Sequence, residues 1–255
     1  MKEKSIDRPL LITILLLVGF GFTIFASASL GLLTRGGAEF GQVALKQFIF
    51  GLVFGGIALF AASRIHYRFW RRYSFYFFVF AAVLTLLVFV PGLGFEHAGA
   101  KRWLSIFGFS FQPGELLKIA FVIYLAAWLS IAKERIGEWK RGMLPLLALL
   151  GITGIILLLQ PDTDGFLIIF ITGVAMFIAA GVGVRQIGLL GLLAVAGGAV
   201  LIAFRPYLKD RLLTFLDMSN ADYLGSGYQI YQSLIAIGSG GIFGRGFGQS
   251  IQKFE

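Results

Sequence analysis

Long stretches without charge dominate the pattern of this 255-residue chain, and polar residues collect in short breaks between them. Stretches long enough to cross a bilayer, about 17–25 residues, fall at Pro9–Thr34, Gln47–Ser63, Tyr73–Phe95, Gly142–Pro161, Gly165–Val184 and Gln186–Phe204. A seventh, Gln112–Ala132, carries Glu115 and Lys118 near one end. The pattern predicts an all-α, polytopic membrane helix bundle with seven spans over residues 1–205. Residues 206–255 then change character and mix glycine, glutamine, serine and tyrosine with a few charges. They are expected to form a large loop after the seventh span. The first span is too long for the apolar core of a signal peptide and has no small-residue cleavage pattern, so it is expected to stay as an anchor.

Composition agrees with a membrane chain. Hydrophobic residues make up 58% and charged residues only 14%, too few to cover a soluble domain of this length. Cysteine is absent, which excludes disulfides and thiolate metal sites. His66 and His97 stand alone, without the spacing that zinc requires. A net charge of +9 would suggest nucleic acid in a soluble protein, but here its distribution is the informative part. With the N-terminus in the cytoplasm, the inner segments hold Lys2, Lys4, Arg8, Arg64, Arg68, Arg71, Arg72, Lys133, Arg135, Lys140, Arg141 and Arg185. The outer loops before the last span hold only Arg35, Lys46, Lys101 and Arg102. Basic residues concentrate on the cytoplasmic side of membrane proteins, so the N-terminus is expected inside. Seven spans then place residues 206–255 outside, away from cytosolic ATP.

Candidate chemistry sits in the outer loops. In the loop Gly92–Gln112, alternating aromatics predict a short extended hairpin at the interface, and Pro113 with Gly114 then opens a helix. Glu115 and Lys118, three apart, share a face of that helix. Ionisable groups within a span turn toward the bundle interior or a water-filled cavity. The pair therefore reads either as a structural ion pair or as part of a site. Arg102, beside Trp103, reads as an interfacial anchor or as a cation for a phosphate, which suits the guanidinium fork. Gln160-Pro-Asp-Thr-Asp-Gly has the composition of a tight turn, which accounts for Asp162 and Asp164. Gly181-Val-Gly and Gly197-Gly198 read as close helix packing.

In the last segment, Gly225-Ser-Gly-Tyr-Gln reads as a turn leading into an amphipathic stretch, Ile230–Ile237. There Gln229, Gln232 and Ser233 form one polar stripe. Gly238-Ser-Gly-Gly and Gly244-Arg-Gly-Phe-Gly read as loops, and neither has the strand–turn–helix setting of a nucleotide site. On spacing alone, Asp210, Asp217 and Asp222 are equally plausible functional carboxylates. The residues by themselves point to an outward-facing polar site with a carboxylate and nearby cations.

Gly99-Ala-Lys-Arg-Trp-Leu, Gln112-Pro-Gly-Glu-Leu-Leu-Lys118, Gln160-Pro-Asp162 and Gly225-Ser-Gly-Tyr-Gln-Ile-Tyr-Gln-Ser233 resemble, in order and spacing, motifs of the SEDS family (shape, elongation, division and sporulation). The ending Gly246-Phe-Gly-Gln-Ser-Ile-Gln-Lys is more similar to the cell-division branch than to the elongation branch. The resemblance implies a glycosyltransferase of the bacterial cytoplasmic membrane that polymerises lipid II into peptidoglycan at the outer face. It makes Asp222 the catalytic carboxylate, a base that takes the acceptor proton in an inverting displacement. Arg102, Gln112, Glu115, Lys118, Gln229, Gln232 and Ser233 then become substrate-binding candidates. A divalent cation, Mg or Mn, is the cofactor expected, with no nucleotide. Expected partners are the growing glycan strand, a class B penicillin-binding protein acting as transpeptidase and other divisome membrane proteins, with no nucleic acid.

Three departures qualify the match. Gly114 replaces the usual serine or alanine, the turn after Gln160 departs from Gln-Pro-Asp-Leu-Gly-Thr, and one extra residue before Asp222 keeps Asp217 in consideration. The family has ten spans, so the seven read here correspond to an N-terminal fragment. The rival function is a lipid II flippase in which the polar segment acts as a gate, with a non-catalytic scaffold third.

Overall fold

A computed structural model describes residues 7–30, 37–97, 100–106, 109–132, 135–216, 225 and 227–250. The chain divides into two compact units. One combines Met1–Arg64 with Leu201–Glu255, and the other is Ile65–Val200. Among the described residues, six helical stretches are long and apolar enough to span a membrane, and Thr163–Ala179, at 17 residues, is a shorter seventh. The expected all-α polytopic membrane bundle is what forms.

In the first unit, α1 (Arg8–Ser29) starts at Asp7, whose carboxylate accepts the Leu10 N–H at 3.1 Å, with Pro9 in the first turn. A second continuous helix begins at α2 (Gly37–Lys46), widens to π-helix over Gln47–Phe54 and ends as α3 (Gly55–Arg64). The span expected from Gln47 is thus preceded by ten helical residues. Gly37–Lys46 is amphipathic, and its polar positions mask helical periodicity in a pattern of uncharged stretches. The same unit holds α9 (Pro206–Leu216) and α10 (Tyr228–Gly240), so the segment expected as a loop is in large part helical.

The second unit runs from α4 (Tyr67–Leu86) through a three-stranded sheet to α5 (Pro113–Ala132), α6 (Leu144–Leu159), α7 (Thr163–Ala179) and most of α8 (Val184–Phe204). The basic block Arg64 to Arg72 is not a loop. After Ile65 and His66 it is the first turn of α4, where His66 Nδ1 accepts the Arg68 N–H at 3.2 Å. Hydrophobic residues at helical spacing build the core. Leu117, Phe121 and Leu125 on α5 are fully buried against Leu146, Leu150 and Leu157 of α6 and Ile169 and Phe177 of α7. Gly173 lets α7 approach, because a Cβ there would stand 3.1 Å from Phe121. Buried hydroxyls are satisfied inside their own helices, as a membrane interior demands: Thr85 Oγ1 donates to Ala81 O at 2.6 Å, and Thr153 Oγ1 to Leu149 O.

The predicted hairpin is present and gains a third strand. β1 (Gly94–His97), β2 (Ala100–Ile106) and β3 (Phe109–Phe111) form an antiparallel meander with Phe95 opposite Trp103 and Leu104 opposite Phe111. Gly94 is required at its entry, since a Cβ there would overlap the Val88 carbonyl.

Candidate functional site

Side chains alternate along a strand, so Arg102 shares a face of β2 with Leu104, which is 2% exposed. That face turns to the bundle, and it brings Arg102 to the corner between α6 and α7. Arg102 Nε donates to Gln160 O at 3.1 Å, its terminal nitrogen donates to Pro161 O, and Nη1 lies 3.5 Å from Asp162 Oδ1. Gln160 is buried and sends its Nε2 to Thr85 O, 2.7 Å away on α4. Asp162 is the N-cap of α7, where Oδ1 accepts the Gly165 N–H at 3.2 Å.

The other Asp162 oxygen faces α5. A Cβ placed on Gly114 would sit 3.8 Å from Asp162 Oδ2 and 3.6 Å from Leu157. The corner thus ties β2, the end of α4, the α6–α7 turn and the first turn of α5 together. Gln112 precedes that first turn, and its carbonyl accepts the Glu115 N–H at 3.2 Å. One turn in, Lys118 Nζ donates to Glu115 Oε1 at 2.8 Å. Glu115 is mostly exposed and Lys118 half-buried, so the ammonium is held by its stem and oriented by the carboxylate. An ammonium has three donors, which leaves it able to bind a further anion.

The structure therefore groups Arg102, Gln112, Glu115 and Lys118 at one end of the second unit. Gln229, Gln232 and Ser233 lie together on α10 of the first unit, in the expected stripe, with Ser233 Oγ donating to Gln229 O at 2.7 Å. Gly238 to Gly240 continue that helix rather than forming a loop, and the turn comes at Gly241, with φ 55°. Asp217 and Asp222 lie outside the described residues. Asp210 lies on α9.

Sequence reasoning missed Gln160 and Asp162 as partners of Arg102. The only clue was chemical, since an arginine turned into a bundle needs an anion, but nothing local in the sequence shows that Arg102 turns inward. Among the described residues, no three His, Asp or Glu side chains gather as metal ligands. Glu115 and Asp162 each face a cation instead.

The family model for cell cycle proteins of the FtsW, RodA and SpoVE type matches residues 8–255. The chain belongs to this family. It is the family that the motifs resembled, and its members are multi-pass membrane proteins like this one. The "Probable peptidoglycan glycosyltransferase FtsW" of Alcanivorax borkumensis is 39% identical over 253 residues, 98% of this chain and 65% of that protein. Stage V sporulation protein E of Bacillus subtilis is 35% identical, covering 99% of this chain and 69% of its own length. A solved chain from a peptidoglycan synthase complex that coordinates polymerization and crosslinking is 30% identical, with a TM-score of 0.61 over 88% of this chain and 66% of that one. The chain thus spans about two thirds of the length of these FtsW/RodA/SpoVE relatives.

Proposed function

We propose that the complete protein polymerises lipid II into glycan strands at the outer face of the bacterial cytoplasmic membrane during cell division. The observation that carries this reading is the 39% identity, over 98% of the chain, to a relative named as a peptidoglycan glycosyltransferase. The geometry of α5 supports it. An ammonium oriented by a neighbouring carboxylate, at the mouth of a membrane bundle, suits the pyrophosphate of a lipid-linked sugar.

In this mechanism the acceptor's 4-hydroxyl oxygen attacks C1 of the donor glycan. The new C1–O bond forms as the bond from C1 to the lipid pyrophosphate breaks, and the electron pair leaves with the pyrophosphate. The hydroxyl proton passes to Asp222, assigned as base from its place before the Gly225-Ser-Gly-Tyr-Gln motif. Pyrophosphate leaves without protonation, so one carboxylate suffices where glycosidases use two. Lys118 meets the developing charge. Arg102 holds the corner beside it and shares its guanidinium with Asp162. The described residues do not assemble a donor set for Mg or Mn.

A class B penicillin-binding protein is the partner we propose, by analogy with the peptidoglycan synthase complex. The complete protein, incubated with labelled lipid II in detergent, is expected to yield glycan polymer on a gel, and Asp222→Asn is expected to yield none while inserting normally. A flippase would make no polymer in this bilayer-free assay. That result for the unaltered protein, or full polymerisation by the variant, would overturn the assignment.

A further inference from the structure

At the end of α6 opposite the Arg102 corner, a cavity of about 600 Å³ opens between the segment before α6 and the first turns of α8. One wall is Gly137 and Trp139, and the other is Arg185, Gln186, Leu189 and Leu192. Gln186 Nε2 donates to Gly137 O at 2.9 Å and joins the two walls. The cavity falls in the range of small-ligand sites, about 300–1,000 Å³.

Its chemistry divides into two parts. Arg135 and Arg141 both turn to Glu138, at 3.5 and 3.8 Å, whereas Arg185 has no ion pair among the described residues. A guanidinium with no ion pair among the described residues therefore stands at the rim, beside the half-exposed indole of Trp139. Below it, Leu189 and Leu192 share a face of α8, and Leu192, 65% exposed, lies within a membrane span. A guanidinium fork matches a phosphate diester, an indole suits the headgroup level of a bilayer, and a half-buried Leu189 one turn further in, with an exposed Leu192 two turns in, suits an acyl chain. Basic pockets between spans are known places for anionic headgroups.

We infer that this cavity seats an anionic membrane phospholipid, with its phosphate on Arg185 and its acyl chain along Leu189 and Leu192. The site lies at the opposite end of α6 from Glu115 and Lys118 and does not depend on the polymerase reading.

The test is native mass spectrometry of the complete protein in detergent with equal amounts of phosphatidylglycerol and phosphatidylcholine. Phosphatidylglycerol adducts are expected to dominate and to fall about fivefold in Arg185→Gln, the equivalent of roughly 1 kcal/mol for one cation near the surface. Arg68→Gln, an exposed cation outside the cavity, is expected to leave them unchanged and serves as the folding control. Leu192→Ala, which adds no charge, is expected to weaken the adduct with Arg185 intact, because the acyl chain needs the leucine wall and a free phosphate does not. Equal retention of both lipids, no change in Arg185→Gln, or displacement by millimolar inorganic phosphate would each overturn the proposal.

Discussion

Arg102 and Asp162, sixty residues apart in the chain, meet with Nη1 3.5 Å from Oδ1, and the same guanidinium donates to the carbonyls of Gln160 and Pro161. The pair is asymmetric: the Arg102 side chain is 30% exposed and that of Asp162 only 8%. Removing one partner therefore differs from removing the other. Arg102→Ala leaves a buried carboxylate with one backbone donor and should destabilise by about 2–3 kcal/mol, below the value for fully buried pairs because water reaches the arginine. Asp162→Asn keeps a good N-cap and leaves Arg102 its two carbonyls, so about 1 kcal/mol or less is expected. In the Asp162→Asn background, Arg102→Ala should cost less than in the unaltered protein, by about 1 kcal/mol. Thermal unfolding of the four proteins in detergent measures this, and strict additivity would mean the ion pair contributes nothing.

Gln160 makes the corner's other long connection, to Thr85 O at 2.7 Å, and is 1% exposed. Gln160→Leu keeps the approximate volume but leaves that carbonyl and its neighbours without the amide. The expected loss is about 1–3 kcal/mol, read in the same unfolding assay. Gln160→Glu should be worse than Gln160→Leu, because it places a second carboxylate beside Asp162 at a buried site.

Gly114 lies in the first turn of α5, buried beside Leu157 and Asp162. Nothing in the structure requires glycine there, because an added Cβ meets only ordinary contacts at 3.6 and 3.8 Å. Gly114→Ser should stabilise by about 0.5–1 kcal/mol, from lower backbone entropy in the unfolded chain and a hydroxyl within reach of Asp162 Oδ2. Gly114→Leu should destabilise, since it forces a branched side chain against Leu157. A lower melting temperature for the serine variant would contradict this account of the corner.

The bundle was legible in the sequence because apolar stretches of span length are a strong signal in lipid. A hairpin within Gly92–Gln112 was legible too, from the alternating aromatics Phe107, Phe109 and Phe111. The helical reach of α2 and the start of α4 were not. Lys46 and Arg68 to Arg72 lie in helices, yet charge at a span end looks like a loop when only hydropathy is read. At the site, the Glu115–Lys118 pair followed from helical spacing alone. The Arg102–Asp162 contact did not, because it depends on which β2 face turns inward and on where the α6–α7 corner lands. No local pattern in either motif encodes those two facts.

The Glu115–Lys118 pair separates stability from function. Glu115 is 58% exposed, and exposed ion pairs contribute about 0–1 kcal/mol. Lys118→Met should therefore leave the melting temperature within a degree or two. If Lys118 meets the departing pyrophosphate, the same change should lower lipid II polymerisation at least tenfold, an effect on the reaction rather than the fold. Equal polymerisation at equal stability would remove Lys118 from the mechanism.

Three carboxylates compete for the role of base, and their settings differ. Asp210 lies within α9, held by the helix Pro206–Leu216, while Asp217 follows its last turn and Asp222 precedes the Gly225-Ser-Gly-Tyr-Gln motif and the stripe of Gln229, Gln232 and Ser233. A base must lie within hydrogen-bond reach of the acceptor hydroxyl, and we propose Asp222 for that role from its place before the Gly225-Ser-Gly-Tyr-Gln motif. Asp222→Asn should reduce polymerisation by about a hundredfold or more, in line with the loss of a general base. If Asp222 is the base, Asp210→Asn and Asp217→Asn should each stay within about threefold of the unaltered protein. A single-turnover assay with labelled lipid II, run on all three variants at matched expression, decides among them. A collapse confined to Asp217→Asn would move the base five residues upstream and shift the motif's register with it.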